Sequence, residues 1–179
     1  INKYINMSLE IIMGPMFSSK SNKLIEYYLK YKNIFNTIII NHKIDNRFDN
    51  NNTIITHDNL ELPAIKLNNL NNLDINIYND AKFILIDEAQ FFNDLKEFIL
   101  KSLKDKKNII IACLNGDINM NTFENITSLI PYAYKITPLT SICQLCEIPT
   151  IAYCHRRINK NNTDIISVGA KNEYKVLCL

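Results

Sequence analysis

The sequence carries no excess of charge of one sign. Its 20 Lys and Arg residues nearly balance its 18 Asp and Glu residues, and the formal net charge at pH 7 is +2. Proteins that bind duplex nucleic acid usually show a basic patch or stripe. A net charge this small gives no such signature, so we expect no nucleic-acid partner.

Long apolar runs are also lacking. No run reaches the roughly 18 residues that a membrane-spanning helix requires, although hydrophobic residues make up 47% of the chain. A chain of 179 residues is near the size of one domain and buries roughly two-thirds of the surface that its unfolded form exposes. We therefore expect the apolar residues in a globular core, without a membrane partner.

The sequence shows neither a signal peptide nor internal repeats. It contains five cysteines, an odd number that argues against a secreted, fully paired disulfide scaffold. Reduced thiols and a cytoplasmic location are the expectation that follows. The first residue is Ile1 rather than Met, so we expect either that the sequence is a fragment or that Met7 is the natural start.

What the sequence does contain is a series of short apolar strands separated by helical patterns. The predicted strands are residues 8–13, 37–40, 82–87 and 108–113, with 133–138 as an edge strand. The predicted helices are residues 20–32, 92–103 and 126–132, and a long loop or hairpin is expected over 41–62. Strands that alternate with helices predict an α/β fold with a parallel sheet.

The character of the sequence changes near Thr140. Beyond this point cysteines appear, helical periodicity fades, and short strands such as residues 165–168 are predicted. We therefore predict two domains, an α/β domain over residues 1–139 and a small second domain over 140–179.

A phosphate-binding loop is indicated where the first strand meets the first helix. Residues 14–21 read GPMFSSKS, which fits the pattern G-x-x-x-x-G-K-[ST] everywhere except at Ser19. Backbone N–H groups of such a loop and the helix N-terminus bind phosphate anions. Lys20 would contact the β- and γ-phosphates of ATP, and Ser21 would ligate Mg²⁺. The predicted phosphate-binding residues are Gly14, Pro15, Met16, Phe17, Ser18, Ser19, Lys20 and Ser21.

Ser19 stands where this motif has Gly. Gly tolerates a positive φ and lets the loop approach the phosphates, whereas Ser would cost about 1–2 kcal/mol at a positive φ. A loop of the right shape with weakened ATP binding is therefore one alternative. A chance match at the start of a helix is another.

An acidic pair directly follows the strand predicted over residues 82–87. Asp87 lies at the strand end, where P-loop enzymes place the carboxylate that partners Mg²⁺. Glu88 is the better candidate to accept a proton from a substrate hydroxyl. The alternative is a solvated acid pair at a strand end, which the preceding phosphate loop disfavours.

Cysteines suggest a metal site near the end of the sequence. Cys143 and Cys146 have the C-x-x-C spacing of half a zinc site. Cys178 is available for the second half, and Cys154 and His155 are alternatives. The role would be structural, because these cysteines lie outside the phosphate-loop region. Unliganded thiols in a reduced protein are the other interpretation.

The three histidines add little that is specific. His42, His57 and His155 have no metal-binding spacing to one another and are predicted at the surface.

Six ordered motifs resemble the type II thymidine kinases, the cellular, bacterial and poxviral enzymes of that kind. The motifs are residues 14–21, Asp87-Glu-Ala-Gln-Phe-Phe92, Leu114-x-Gly116, Cys143-x-x-Cys146, Ala152-Tyr-x-x-Arg156 and Gly169-x-x-x-x-Tyr174-x-x-x-Cys178. The resemblance covers nearly the whole chain from Met7 onward.

The resemblance implies a P-loop α/β core with a small C-terminal zinc-binding domain, whose lasso-like loop covers the nucleoside. It implies transfer of the ATP γ-phosphoryl group to the 5′-hydroxyl of thymidine, with Mg²⁺, a structural Zn²⁺ and a homotetramer. Glu88 matches the catalytic base. Cys143, Cys146 and Cys178 match three zinc ligands, and a fourth would fall two residues past the last residue given. The residues that match the substrate pocket and the lasso are Met16, Phe91, Ile118, Phe123, Ile165, Ile166, Ser167, Val168, Gly169 and Tyr174.

The sequence departs from the family pattern at several positions. Besides Ser19, Asn115 stands where the family has Asp, and Cys154 replaces a hydroxyl residue. Ile118 replaces an aromatic residue that contacts the thymine ring, which forfeits stacking of about 0.5–1.5 kcal/mol. Two alternatives follow: a weakened homologue that binds nucleotide without efficient turnover, and a deoxynucleoside kinase of broader specificity.

Overall fold

The computed structural model describes residues 7–44, 53–55, 61–158 and 174–179. In chain order, the strands there are β1 (Ser8–Gly14), β2 (Thr37–His42), β3 (Thr53–Ile55), β4 (Glu61–Pro63), β5 (Ile65–Leu67), β6 (Phe83–Asp87), β7 (Asn108–Leu114), β8 (Lys135–Pro138), β9 (Ser141–Ile142), β10 (Ile151–Ala152), β11 (Cys154–Arg157) and β12 (Tyr174–Leu177). The helices are α1 (Lys20–Tyr31), α2 (Ile75–Asp80), α3 (Leu95–Lys104) and α4 (Glu124–Thr127). Short 3₁₀ turns lie at Leu70–Asn72, Ala89–Phe91 and Ile130–Tyr132.

Six strands form a sheet in the order β5-β2-β6-β7-β1-β8, and each pairing in it is parallel. The predicted α/β fold with a parallel sheet is therefore confirmed. β1 and β7 are in register from Ser8 opposite Asn108 to Gly14 opposite Leu114. Because the strands run in one direction, the carboxyl ends of β1, β6 and β7 meet at one edge, which is where open α/β sheets bind their ligands.

Apolar side chains on the strands feed two cores, one on each face of the sheet. On one face Ile12, Ile39 and Leu85 pack with Leu24 and Ile25 of α1. The other face packs against α2, α3 and α4 through Ile11, Ile40, Ile84, Ile86, Ile109 and Ile111. Successive side chains of a strand point to opposite faces, so a strand buried on both faces reads as a continuous β-branched run. Burying each such side chain contributes roughly 1.5–3 kcal/mol.

Some predicted boundaries differ from the structure. The helix predicted over residues 92–103 is α3, which begins at Leu95. The 3₁₀ turn at Ala89–Phe91 precedes it and delays its start. The helix predicted over 126–132 is wrong. The chain there forms α4 and a separate 3₁₀ turn, since Pro131 lacks the N–H that would continue an α-helix. Periodicity does not predict β5 or α2, which are three and six residues long.

Short antiparallel pairs complete the described fold. β3 pairs with β4, as expected of a hairpin near residues 41–62. After residue 140, β9 pairs with β10 and β11 pairs with β12. Cys143, Ala152 and Val176 form a small apolar cluster among these last strands, against which Met16 and Phe17 pack. The division into two domains at residue 140 stays a prediction. Within the described residues, no helix has the length and apolar character needed to cross a membrane.

Candidate functional site

The loop between β1 and α1 forms one side of the candidate site. A Cβ placed on Gly14 would lie 2.5 Å from the Leu139 carbonyl oxygen and 2.6 Å from Ser18 Oγ, so only glycine allows this close approach. The Pro15 carbonyl accepts hydrogen bonds from Lys20 Nζ at 2.7 Å and from Ser18 Oγ at 2.8 Å. These two bonds close residues 14–20 into a compact loop that carries the buried Lys20 ammonium.

Backbone strain is concentrated around this loop and the acidic pair. Phe17, Ser19 and Glu88 have φ values of 58°, 59° and 50°. The positive φ considered for Ser19 is thus present, and it costs a non-glycine residue about 1–2 kcal/mol. Ser19 gives α1 no side-chain cap, an arrangement suited to a helix whose N-terminus receives an anion. Strained residues of this kind cluster at functional sites.

Ser21 and Asp87 meet beside the loop. Ser21 Oγ donates a hydrogen bond to Asp87 Oδ2 at 2.7 Å, and Asp87 Oδ1 accepts one from the Glu88 N–H at 3.0 Å. Asp87 is only 2% exposed. A hydroxyl and a carboxylate this close supply the oxygen ligands that Mg²⁺ prefers next to bound phosphates, so these residues fit Mg²⁺.

The Glu88 carboxylate is held by a neighbouring amide. Gln90 Nε2 donates to Glu88 Oε2 at 2.7 Å, and Gln90 Oε1 accepts from the Leu114 N–H at 3.2 Å. Asn125 Nδ2 donates to the carbonyls of Gln90 and Phe92, both at 3.0 Å. The turn after β6 is therefore tied to β7 and α4. Sequence reasoning assigns Gln90 no role, although an amide two residues after a strand-end acid is a signal that could have suggested one.

Asn115, a departure from the family pattern, has a partner in the structure. Its backbone N–H donates to the Gly14 carbonyl at 3.3 Å, and its Nδ2 donates to the Tyr153 carbonyl at 2.8 Å. A carboxylate has no N–H to donate, so Asp could not make the second bond. Ser141 Oγ adds a bond to the Phe17 carbonyl at 3.2 Å. The carboxyl ends of β1 and β7 are thereby joined to the C-terminal strands.

The residues predicted to line the base pocket lie in different surroundings. Phe91 packs near His42, with ring centroids 5.9 Å apart. Phe123 precedes α4 and packs against the larger core. Ile118 is half-buried in the turn after β7, and Met16 packs on the cysteine-bearing cluster. Their contacts with a nucleoside stay predictions.

The lasso predicted over residues 165–169 lies outside the described residues, and Tyr174 begins the strand that follows it. Tyr174 is buried, and its hydroxyl accepts a hydrogen bond from Arg157 Nη2 at 2.9 Å. The neighbouring Arg156 is exposed, with Nη2 3.9 Å from Met120 Sδ. Tyr174 is thus fixed at the base of the segment to which sequence reasoning assigns the lasso.

His155 is buried, so its predicted surface location is wrong. It is 3% exposed on β11, and its Nδ1 has no hydrogen-bond partner among the described residues. Burial and then the positive charge of Lys20 lower its pKa to about 4, against the opposing effect of Asp117. Sequence periodicity misses this burial because β11 has only four residues. The imidazole is neutral at pH 7 and lies within the electrostatic reach of the phosphate-loop lysine.

Acidification is expected to destabilise the fold through His155. Its folded-state pKa of about 4 is below the value of about 6.5 for an exposed histidine, so the unfolded chain binds the proton first. The free energy of unfolding should fall by roughly 3 kcal/mol as the pH drops from 6.5 to 4, with no further loss from this group below 4. Urea unfolding of the wild type and His155→Gln across this range checks it. If the free energies of unfolding of the two proteins fall in parallel as the pH drops, His155 is not the group responsible.

Three cysteines converge near the end of the chain. The sulfurs of Cys143, Cys146 and Cys178 all lie within 4.8 Å of one another, and the Cys146 and Cys178 sulfurs are 3.5 Å apart. Two thiolates on one tetrahedral zinc ion are about 3.8 Å apart, so the three residues fit Zn²⁺. Cys154 is not in the group. Its thiol instead donates a hydrogen bond to the Leu177 carbonyl oxygen at 3.4 Å. His155 is not in the group either.

Hydrogen bonds prepare this group for a cation. Backbone N–H groups of Cys178 and then Leu145 lower the pKa of Cys143 to about 6. The thiols of Cys146 and then Cys143 raise the pKa of Cys178 to about 11. The Cys143 thiol therefore loses its proton readily, whereas the Cys178 thiol retains its own. A divalent cation bound to the sulfurs would release the remaining protons and neutralise the crowded thiolates.

The parallel sheet and the loop between β1 and α1 have the architecture of the P-loop kinases. The thymidine kinase family model matches residues 7–179. The chain is 44% identical to the thymidine kinase of Amsacta moorei entomopoxvirus over 179 aligned residues, which cover 96% of each protein. It is 42% identical to that of Choristoneura fumiferana entomopoxvirus, covering 96% of this chain and 94% of the relative. It is 36% identical to the thymidine kinase of Yaba monkey tumor virus, and the alignment covers 95% of this chain and 91% of the relative.

The chain therefore belongs to the thymidine kinase family, and the resemblance drawn from its motifs is confirmed. Membership makes it a kinase, an enzyme that transfers a phosphoryl group to a small molecule.

Proposed function

We propose that the chain transfers the γ-phosphoryl group of ATP to the 5′-hydroxyl of thymidine, giving ADP and dTMP. The viral relatives that align with nearly the whole chain are named thymidine kinases. The observation that carries the proposal is the hydrogen bond from Ser21 Oγ to Asp87 Oδ2, at 2.7 Å. This pair joins the start of the helix after the loop to the strand end that carries Glu88. Loop, metal ligands and base are the parts that phosphoryl transfer requires.

The mechanism that these residues support is positioning and charge stabilisation. Loop N–H groups and Lys20 would bind the phosphates, and Ser21 and Asp87 would hold Mg²⁺, which supplies charge neutralisation when bound. Glu88 would accept the proton of the 5′-hydroxyl as that oxygen forms its bond to the γ-phosphorus. The bond from that phosphorus to the β–γ bridging oxygen breaks, and the electron pair leaves with ADP.

The cysteine group is proposed to hold a structural Zn²⁺ through Cys143, Cys146 and Cys178, within a unit over residues 140–179. Phe17 and Met16 pack against the apolar cluster beside it, so the metal would brace the phosphate loop without touching the reacting atoms. The homotetramer implied by the resemblance and the cytoplasmic location stay predictions.

The test is a transfer assay with ATP, Mg²⁺ and a panel of deoxynucleosides. Formation of dTMP with preference for thymidine supports the proposal. Comparable rates with other deoxynucleosides favour the broader kinase suggested by Ile118. ATP binding by folded, zinc-loaded protein without any product favours the non-catalytic homologue.

Replacing Ser19 with Gly is expected to improve ATP use without changing the products. The substitution removes about 1–2 kcal/mol of left-handed strain and takes away a side chain beside the phosphates. We expect both proteins to turn over, with kcat/KM for ATP up to about tenfold higher for Ser19→Gly. Activity confined to the Gly variant would mean that Ser19 disables this form of the loop.

Lys106→Gly is the matched control for Ser19→Gly. Lys106 has φ 57° in the turn after α3 and is exposed. This variant relieves the same kind of strain away from the loop, so its unfolding free energy should change while kcat/KM for ATP does not. A lower kcat/KM for ATP in Ser19→Gly would contradict the prediction.

A further inference from the structure

The side chain of Gln90 has two hydrogen-bond partners that belong to different strands. It is 6% exposed and lies in the 3₁₀ turn after β6. Its Nε2 donates to Glu88 Oε2 at 2.7 Å, and its Oε1 accepts from the Leu114 N–H at 3.2 Å. A buried amide thus connects the candidate base to the carboxyl end of β7.

These partners determine how the amide is oriented. The Leu114 N–H is only a donor, so it must face the amide oxygen. The NH₂ group must then face the carboxylate, which is only an acceptor when ionised. A flipped amide would lose both bonds and set two donors against each other. Gln90 therefore presents an N–H to Glu88 in one defined direction.

The backbone of Gln90, like its side chain, is held by a hydrogen bond. Asn125 Nδ2 donates to the Gln90 carbonyl at 3.0 Å, and this contact restrains the turn from the side of α4. On the β7 side, Leu114 is opposite Gly14 of β1. The amide consequently relates the position of Glu88 to the strand that leads into the phosphate loop.

We propose that Gln90 is a positioning residue for phosphoryl transfer, holding the Glu88 carboxylate in the place from which it reaches the acceptor hydroxyl. This rests on the proposed function. A general base must lie within hydrogen-bond reach of the proton that it takes, and the N–H that Gln90 donates at 2.7 Å restricts where the Glu88 carboxylate can lie. The strained φ of 50° at Glu88 makes such an external restraint necessary, because the backbone alone disfavours this conformation.

Gln90→Glu and Gln90→Leu test the proposal beside the wild type. Both remove the N–H donor at nearly constant size, and the first also sets a second carboxylate beside Glu88. We expect kcat for dTMP formation at neutral pH to fall roughly 10–100-fold in both, with KM for ATP changed less than about threefold. KM for thymidine should also stay within about threefold of the wild-type value, because the variants displace the candidate base and remove no proposed substrate contact.

Gln144→Glu is the matched control. Gln144 Oε1 accepts a backbone N–H, that of Val176 at 3.0 Å, as Gln90 Oε1 does, and among the residues that the structure describes its amide nitrogen contacts no carboxylate. Its kcat and its KM for ATP should match those of the wild type.

Each outcome of this comparison has one meaning. Wild-type kcat in the Gln90 variants overturns the positioning role. So does a loss of kcat that is accompanied by lower thermal stability and a raised KM for ATP, since that result marks Gln90 as merely structural. If Gln90→Leu does not fold, the nearly isosteric Gln90→Glu decides. A wild type that forms no dTMP overturns the proposed function and this role together, whereas an active wild type with unaffected variants overturns this role alone.

Discussion

Glu88→Gln is expected to lower kcat for thymidine phosphorylation by roughly a thousandfold, within the range that general base catalysis contributes. The substitution keeps the size of the side chain, and its amide oxygen can still accept the bond that Gln90 Nε2 makes to Glu88 Oε2. What is lost is the ability to take the 5′-hydroxyl proton. The KM for thymidine should stay within about threefold of the wild-type value.

Steady-state kinetics of the wild type and two variants check this expectation. Glu97→Gln makes the same chemical change on the exposed face of α3 and should leave kcat unchanged. Retained turnover in Glu88→Gln would remove Glu88 from the role of base. Asp87 could not readily replace it, because both of its oxygens already bond Ser21 Oγ and the Glu88 N–H.

Cys178→Ser is expected to abolish stoichiometric zinc binding and to loosen the C-terminal strands. Structural zinc contributes about 10–16 kcal/mol to small zinc-binding peptides, and the apolar cluster beside the cysteine group is small, with Cys143, Ala152 and Val176 as its buried members among the described residues. Metal analysis should give about one zinc per wild-type chain and near none for the variant. Because Phe17 packs against this cluster, kcat/KM for ATP should fall as well.

Cys154→Ser is the matched control for the zinc prediction. The serine hydroxyl of this variant can still donate to the Leu177 carbonyl, as the Cys154 thiol does at 3.4 Å. In the wild type the Cys154 sulfur lies outside the group of three cysteines. Zinc content should therefore stay at the wild-type level. Equal zinc loss in both variants would make Cys154 a ligand, and full zinc content in Cys178→Ser would remove Cys178 from the site.

The local parts of the site could be predicted because their residues are contiguous. A strand, a loop and a helix over residues 8–32 form from short-range backbone conformation, and the positive φ considered for Ser19 is present in the loop. Such a loop is of the kind that binds phosphate. The strand-end position of Asp87 and Glu88 follows from a continuous apolar run that stops. The pairing of Ser21 with Asp87, 66 residues apart, follows once both motifs are placed at the carboxyl edge of one parallel sheet.

Other features depend on contacts that no local pattern contains. Gln90 reaches Leu114 only because β6 lies beside β7. His155 is buried because β11 pairs with β12 from another part of the chain. The Cys178 sulfur lies beside that of Cys146 although 32 residues separate them in the chain. Spacing alone leaves Cys154 and His155 as alternatives, and only the family resemblance selects Cys178 in advance.

The sequence by itself determined the parallel α/β class, the loop between the first strand and the first helix, the acidic pair at a strand end and the family. Each of these depends on the periodicity of apolar residues or on a short run of neighbouring residues, and such local geometry is written in the order of residues. Only the tertiary structure decided which side chains hold Glu88, which histidine is buried and how closely the three cysteines matched by the resemblance converge. Those relations depend on the order of the strands in the sheets, which is set by the packing of the whole core.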